Sequence, residues 1–99
     1  MKVVFSKYAE MELEDATQFH ELEFEGLGRK FKEEVKRAAI RIAEYPEAWS
    51  VERADIRKCL LHKFPYKLLY SIEEDHIFII AVAHQHRKPS YWLGRKKTD

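Results

Sequence analysis

Three histidines in the last part of the sequence, His62, His84 and His86, are the side chains best suited to moving protons near neutral pH, since free imidazole titrates at about 6.5. Around them stand Arg87, Lys67 and Lys58. A guanidinium can grip a phosphate with two parallel hydrogen bonds, and an ammonium adds charge. Tyr91 or Trp92 could stack on a base, and Arg95-Lys96-Lys97 is a basic tail able to touch a phosphate backbone. Attack by an RNA 2′-hydroxyl needs these parts: a base, an acid for the leaving oxygen, and cations on the crowded phosphate. The candidate catalytic set is therefore His62, Lys67, His84, His86 and Arg87. The candidate nucleic-acid contacts are Lys58, Arg87, Tyr91 and Arg95.

Each residue also has a plainer role. His84 ends an apolar strand, where a half-buried, hydrogen-bonded imidazole is common. His62 and His86 could simply face solvent, and Lys58 and Lys67 could be ordinary strand charges. Trp92 reads better as an anchor at the edge of the core. A zinc site from His62, His84 and His86 has neither cysteine support nor a recognised ligand spacing, so no metal or cofactor is expected. Gly26 and Gly28 break the chain between helices and form no phosphate loop. Cys59 is expected to be buried packing.

The elements that must position these residues follow from pattern. Val3, Val4 and Phe5 form a short strand, and Ser6 is a good helix N-cap. Glu10, Glu12, Glu14 and Asp15 suit the positive end of a helix dipole. Ala9, Leu13, Ala16 and either His20 or Phe19 recur at helical spacing, predicting a helix from about Lys7 to Glu23. Leu27, Phe31, Val35, Ala38, Ile42 and Tyr45 form one stripe of a second helix, ended by Pro46. Beyond Arg57 come three strands: one through Cys59-Leu60-Leu61, one from Tyr66 to Ile72 and one from His76 to His84. Short connections make them an antiparallel meander. The expected fold is α+β, ordered β-α-α-β-β-β, with a helical hairpin on one face of a small, mainly antiparallel sheet.

Placing the turns at Phe64-Pro65 and Glu74-Asp75 sets Lys67 opposite His62 and Val82. One face then carries Lys58, Leu60, His62, Lys67, Leu69, Phe78, Ile80, Val82, His84 and His86. The other carries Cys59, Leu61, Tyr66, Leu68, Tyr70, Ile77, Ile79, Ala81 and Ala83, and should bury the helices. A slip of one residue would exchange the faces. Leu69, Phe78, Ile80 and Val82 would form an apolar patch that either the C-terminal segment or a partner covers.

A chain of 99 residues, with no internal repeat, is expected to make a single domain over 1–99. The formal net charge of +1 offers no global case for nucleic-acid binding, so any such case is local. One cysteine, too short an apolar run at Met1–Phe5 for a signal peptide, and no membrane-length apolar stretch suggest a cytoplasmic protein without a membrane partner.

The run Phe64-Pro65-Tyr66-Lys67-Leu68-Leu69-Tyr70-Ser71-Ile72, the apolar strand Ile77–Val82 and the ending His84-Gln85-His86-Arg87-Lys88-Pro89-Ser90-Tyr91-Trp92 together resemble the C-terminal signature of the RelE/ParE toxin superfamily. The close match covers roughly the last third; the remainder agrees in element order. The resemblance implies a small cytosolic growth inhibitor, neutralised by an antitoxin partner with which it could form a hetero-oligomer. RelE-like members are ribonucleases that cut messenger RNA, usually in the ribosome. ParE-like members inhibit DNA gyrase without known hydrolytic chemistry.

Carried over from the ribonuclease branch, Lys58 fits a first basic position, Lys67 the third-strand arginine and Arg87 the arginine after the last strand. His62 takes a position that can be basic, and Tyr91 lies near the terminal aromatic. Leu60 stands where a second lysine is expected, a departure that weakens the ribonuclease match. Metal-independent cleavage of ribosome-bound messenger RNA is the first expectation. The alternative is a ParE-like toxin that binds and blocks gyrase, and a third possibility is a degenerate member that only binds its antitoxin.

Overall fold

Serine 6 decides where the first helix begins. Strand β1 (Lys2–Phe5) delivers the chain to Ser6 in extended conformation, and its hydroxyl accepts a 3.0 Å hydrogen bond from the Ala9 amide. Helix α1 (Lys7–Glu23) follows, as the spacing predicts. Its inward face buries Ala9, Ala16 and His20, with Leu13 half-buried. Between the two candidates for the last inward position, His20 is the one that packs: its ring stacks on Phe31 at 4.8 Å and its Nδ1–H donates to the Ala16 carbonyl at 2.6 Å. The computed structural model describes residues 1–87 and 91–95.

Helix α2 (Leu27–Glu44) buries the predicted stripe Phe31, Val35, Ala38 and Ile42, whereas Tyr45 caps its C-terminus and stays exposed. The two glycines act differently from a simple break. Gly26 adopts a left-handed φ of 87° at the cap, a conformation that costs other residues. Gly28 lies inside α2, where a Cβ would sit 2.7 Å from the Thr17 carbonyl oxygen, so its smallness lets the two helices touch. With no side chain at the cap, the Glu21 carboxylate from α1 reaches over and accepts from the Gly26 and Gly28 amides at 3.0 Å. Those two bonds hold the Glu21 carboxyl below its ordinary range.

The sheet contains one strand more than expected. Strands β2 (Val51–Arg53), β3 (Ile56–Leu60), β4 (Tyr66–Ile72) and β5 (His76–His84) join β1 in the order β1-β5-β4-β3-β2. The β1·β5 pair is parallel and the others are antiparallel. The helices pack on the face carrying Cys59, Leu61, Leu68, Tyr70, Ile77 and Ile79. Cys59 is buried there, as expected.

The expected register fails at one place. Leu69 pairs with Ala81 but Tyr70 pairs with Ile79, so Ile80 is an extra residue in β5. Such a bulge reverses the alternation beyond it. Consecutive Ile80 and Ala81 both face away from the helices, while Val82 turns back into the helix-side core. His84 follows Val82, its ring packing edge-on to Tyr66 at 5.2 Å. Lys67 pairs with Leu60 and Ala83, not with His62 and Val82. The face proposed to gather Lys67, Val82 and His84 is therefore split between the two sides of the sheet.

The apolar patch on the outer face is covered by the chain itself. Trp92 is buried against Ile56, Leu69, Ile80 and Ala81, with Phe78 and Tyr91 alongside, as expected of a tail anchor.

Two stability tests follow from this packing. Gly28→Ala should destabilise the protein by about 1–3 kcal/mol in urea unfolding, as overpacking does. Tyr70, fully buried, donates its hydroxyl to the Pro46 carbonyl, and burial pushes its phenol up to about 12 from an ordinary 10.0, against the lowering charge of Arg57. The unfolded chain thus releases this proton at lower pH than the native one. The contribution of Tyr70 to stability should be level below pH 10 and be lost between pH 10 and about 12. Tyr70→Phe should flatten that fall in urea midpoints measured against pH.

Candidate functional site

The end of β5 is an unusual edge, because β1 stops pairing at Phe5 opposite Ile79 while β5 runs on to His84. Its outward backbone groups need partners. Ser6 supplies two: its amide donates to the Ile79 carbonyl at 2.9 Å and its hydroxyl to the Ile80 carbonyl at 3.3 Å. Glu12 supplies the next, accepting from the Val82 amide at 3.0 Å.

The same carboxylate anchors the C-terminal turn. Glu12 accepts from the Tyr91 hydroxyl at 2.7 Å and from both terminal nitrogens of Arg95, at 2.8 and 3.0 Å. Arg95 also donates to the Ile80 carbonyl at 3.1 Å. This is a paired fork on a carboxylate with both partners mostly buried, the strong form of an ion pair. The guanidiniums of Arg87 and Arg95 lie over the Tyr91 ring, at 4.0 and 4.8 Å from its centre. Burial, then the bond to Glu12 and its charge, push the Tyr91 phenol above its ordinary range.

The structure sorts the sequence candidates into three places. His84, His86, Arg87 and Tyr91 gather at the end of β5. The rings of His84 and His86 are 5.4 Å apart, and the His86 amide donates to His84 Nδ1 at 3.1 Å. Neutral His84 thus carries its proton on Nε2. A cleft of 270 Å³ beside them is lined by Tyr66, His84 and Arg87, but also by Glu12 and Asp15.

Lys58 and Lys67 form the second group, on the opposite face of the sheet. Both reach the Glu52 carboxylate of β2, at 3.4 and 3.5 Å, and the Lys67 side chain is only 13% exposed. His62 is the third place. It is exposed just beyond β3, its amide donating to Glu34 Oε1 at 3.1 Å. A larger cleft of 650 Å³ joins His62 to Lys58, Leu60 and Trp49. Glu34 is buried; although burial opposes its charge, the His62 amide and Arg37 hold its carboxyl below the ordinary range.

Arg95, expected as a nucleic-acid contact, has its fork on Glu12, and the Tyr91 ring is occupied by two guanidiniums. Among the described residues, no three His, Cys, Asp or Glu side chains converge in a metal-binding group. Among the described residues no helix is long and apolar enough to cross a membrane.

Sequence reasoning missed Glu12 and Glu52. Glu12 was legible in principle: it borders the buried stripe Ala9-Leu13-Ala16 where Glu10 and Glu14 do not. Glu52 lies in the strand that pattern did not reveal. One test isolates the Glu12 contact: Glu12→Gln should bring the Tyr91 phenol down toward its ordinary range in an alkaline absorbance titration, with Tyr91→Phe identifying the transition. An unchanged titration would contradict it.

Comparison with known proteins bears on what this fold does. The family model described as "ParE toxin of type II toxin-antitoxin system, parDE" matches residues 3–89. No curated protein matches the sequence. Among solved structures, a chain of the "Chromosomal ParDE TA system from P. aeruginosa" superposes with a TM-score of 0.70 at 16% identity, covering 85% of this chain and 95% of that one. At that identity the likeness shows the fold. The family match spans most of the chain, and with it the resemblance read from the C-terminal signature is met: the protein belongs to the ParE toxin family of type II toxin–antitoxin systems, within the RelE/ParE superfamily.

Proposed function

We propose that this toxin arrests growth by binding DNA gyrase and not by cutting messenger RNA, the alternative raised from sequence. The observation that carries this reading is the separation of the cleavage machinery. A phosphodiester in flight needs its base, acid and cations within hydrogen-bonding reach of one phosphate. Here the His84 imidazole at the end of β5 shares its cleft with Glu12 and Asp15. Lys58 and Lys67 are drawn to Glu52 on the other face, and Leu60 leaves a gap in the basic row. Membership in the ParE family favours the same side.

On this reading Arg87 is the contact residue and the imidazoles are dispensable. Arg87 stands exposed beside Tyr66 at the end of β5, and an arginine in such a setting is a common binding hot spot. The ribonuclease reading keeps one observation in its favour, the 5.4 Å spacing of His84 and His86 beside Arg87. The partner implied by either reading is a cognate antitoxin.

The two readings separate in one experiment. The purified chain should inhibit supercoiling by purified gyrase, and the triple variant His62→Ala, His84→Gln, His86→Ala should keep that potency. Arg87→Glu should lose about tenfold, equal to about 1.4 kcal/mol. Discrete cuts in ribosome-bound messages that vanish in the triple variant, with gyrase untouched, would overturn the proposal.

A further inference from the structure

Helix α1 is apolar on two faces, which a helix packed on a sheet does not require. Its inward face holds Ala9, Leu13, Ala16 and His20. Tyr8, Met11, Phe19 and Leu22 point the other way and stay in solvent, with Met11 63%, Phe19 56% and Leu22 86% exposed. At about 100° per residue these four fall in one strip about 80° wide. Phe24, just past the helix end, is exposed as well. Tyr8 is fixed at the other end, its ring under the Arg95 guanidinium at 4.8 Å. A row of large side chains left in water on a small protein marks a partner.

Charge says which partner. Helix α1 carries six carboxylates against the single lysine Lys7. Asp15 lies within the apolar strip, and Glu14 and Glu23 flank it. Among the described residues Glu10, Asp15 and Glu23 make no ion pair, whereas Glu14 meets Lys32 at 3.4 Å. A second copy fits badly: α1 against α1 would oppose these carboxylates. The outward side of α2 is basic, but its large exposed apolar residues are only Ile40 and the capping Tyr45.

We infer that the outward face of α1 docks a basic amphipathic helix of the antitoxin, one with apolar residues at i, i+3 or i+4 and i+7 and lysine or arginine on both flanks. A cation on that helix meets Asp15 and sets the register. The inference rests on membership in a toxin–antitoxin family and not on the choice of gyrase as target.

The test uses the full chain and two synthetic helices with leucine at heptad positions a and d. One has lysine at e and g, the other glutamate. Fluorescence anisotropy should show the lysine helix binding, weakening as salt is added, and the glutamate helix failing to bind. Phe19→Ser with Leu22→Ser should weaken binding at least tenfold, and Ile40→Ser on α2 should not. Asp15→Lys should shift the preference toward the glutamate helix. All these positions are exposed, so thermal unfolding should barely move, and gyrase inhibition by Leu22→Ser alone, at a position outside the cleft that Phe19 shares with His84 and Arg87, should persist. Co-expressed cognate antitoxin should relieve growth arrest by the wild type but not by that variant. Equal binding of both helices, no binding of either, insensitivity to the Phe19/Leu22 change, or self-association that Leu22→Ser abolishes would overturn the inference. Loss of the gyrase effect alone would leave it standing.

Discussion

One carboxylate joins the parts of this molecule that are farthest apart in sequence. Glu12 on α1 caps the Val82 amide of β5 and holds Tyr91 and Arg95 of the C-terminal turn. The edge of β5 beyond β1 would otherwise expose backbone groups that can recruit another strand. A side-chain acceptor closes that edge without a further strand, and brings a guanidinium that satisfies the Ile80 carbonyl as well. Trp92 can then lie over the outer face of the sheet, where it makes a second, smaller core. Breaking one buried charge pair of this kind leaves its partner desolvated and unpaired, so the turn and the sheet edge stand or fall together.

The bulge at Ile80 follows from the same need and has a functional consequence. It reverses the side-chain alternation between Tyr70's partner Ile79 and Leu69's partner Ala81. His84 is thereby carried to the helix side, away from Lys67 and Lys58. Several basic side chains are thus held apart at separate carboxylates: Lys58 and Lys67 at Glu52, Arg95 at Glu12, Arg37 at Glu34. A surface arranged in this way suits recognition of a protein better than tracking of a polyphosphate, which calls for clustered free cations. Helix α1 offers an acidic and apolar face, whose Asp15 and Phe19 border the cleft of His84 and Arg87.

Much of this was readable from residue order. Ser6, the stripe Phe31-Val35-Ala38-Ile42 and the three strands from Ile56 to His84 follow from capping and periodicity, because those signals are local. The covering of the outer face by Trp92 was one of two possibilities and became definite only with the tail in place. What stayed hidden depends on contacts distant in sequence. The bulge is stabilised by Ser6 and Glu12, more than sixty residues upstream, so no local pattern marks Ile80. Gly28 read as a break because its need for space comes from Thr17 on the other helix. The three-residue strand β2 is too short to show a period. For the candidate site the residue types were legible but their grouping was not: His84, His86 and Arg87 do meet, while His62, Lys58 and Lys67 lie elsewhere.

The most direct measurement of the central claim is amide hydrogen exchange at Val82 in the wild type and in Glu12→Ala. If the Glu12 carboxylate is what closes this edge, Val82 should be protected in the wild type and exchange far faster in the variant. Trp92 fluorescence should shift to the red as the C-terminal turn releases, and amides paired between β3 and β4 should be unchanged. Unaltered protection of Val82 with Trp92 still buried would contradict the account, and would mean that the turn is held by its own packing on the sheet.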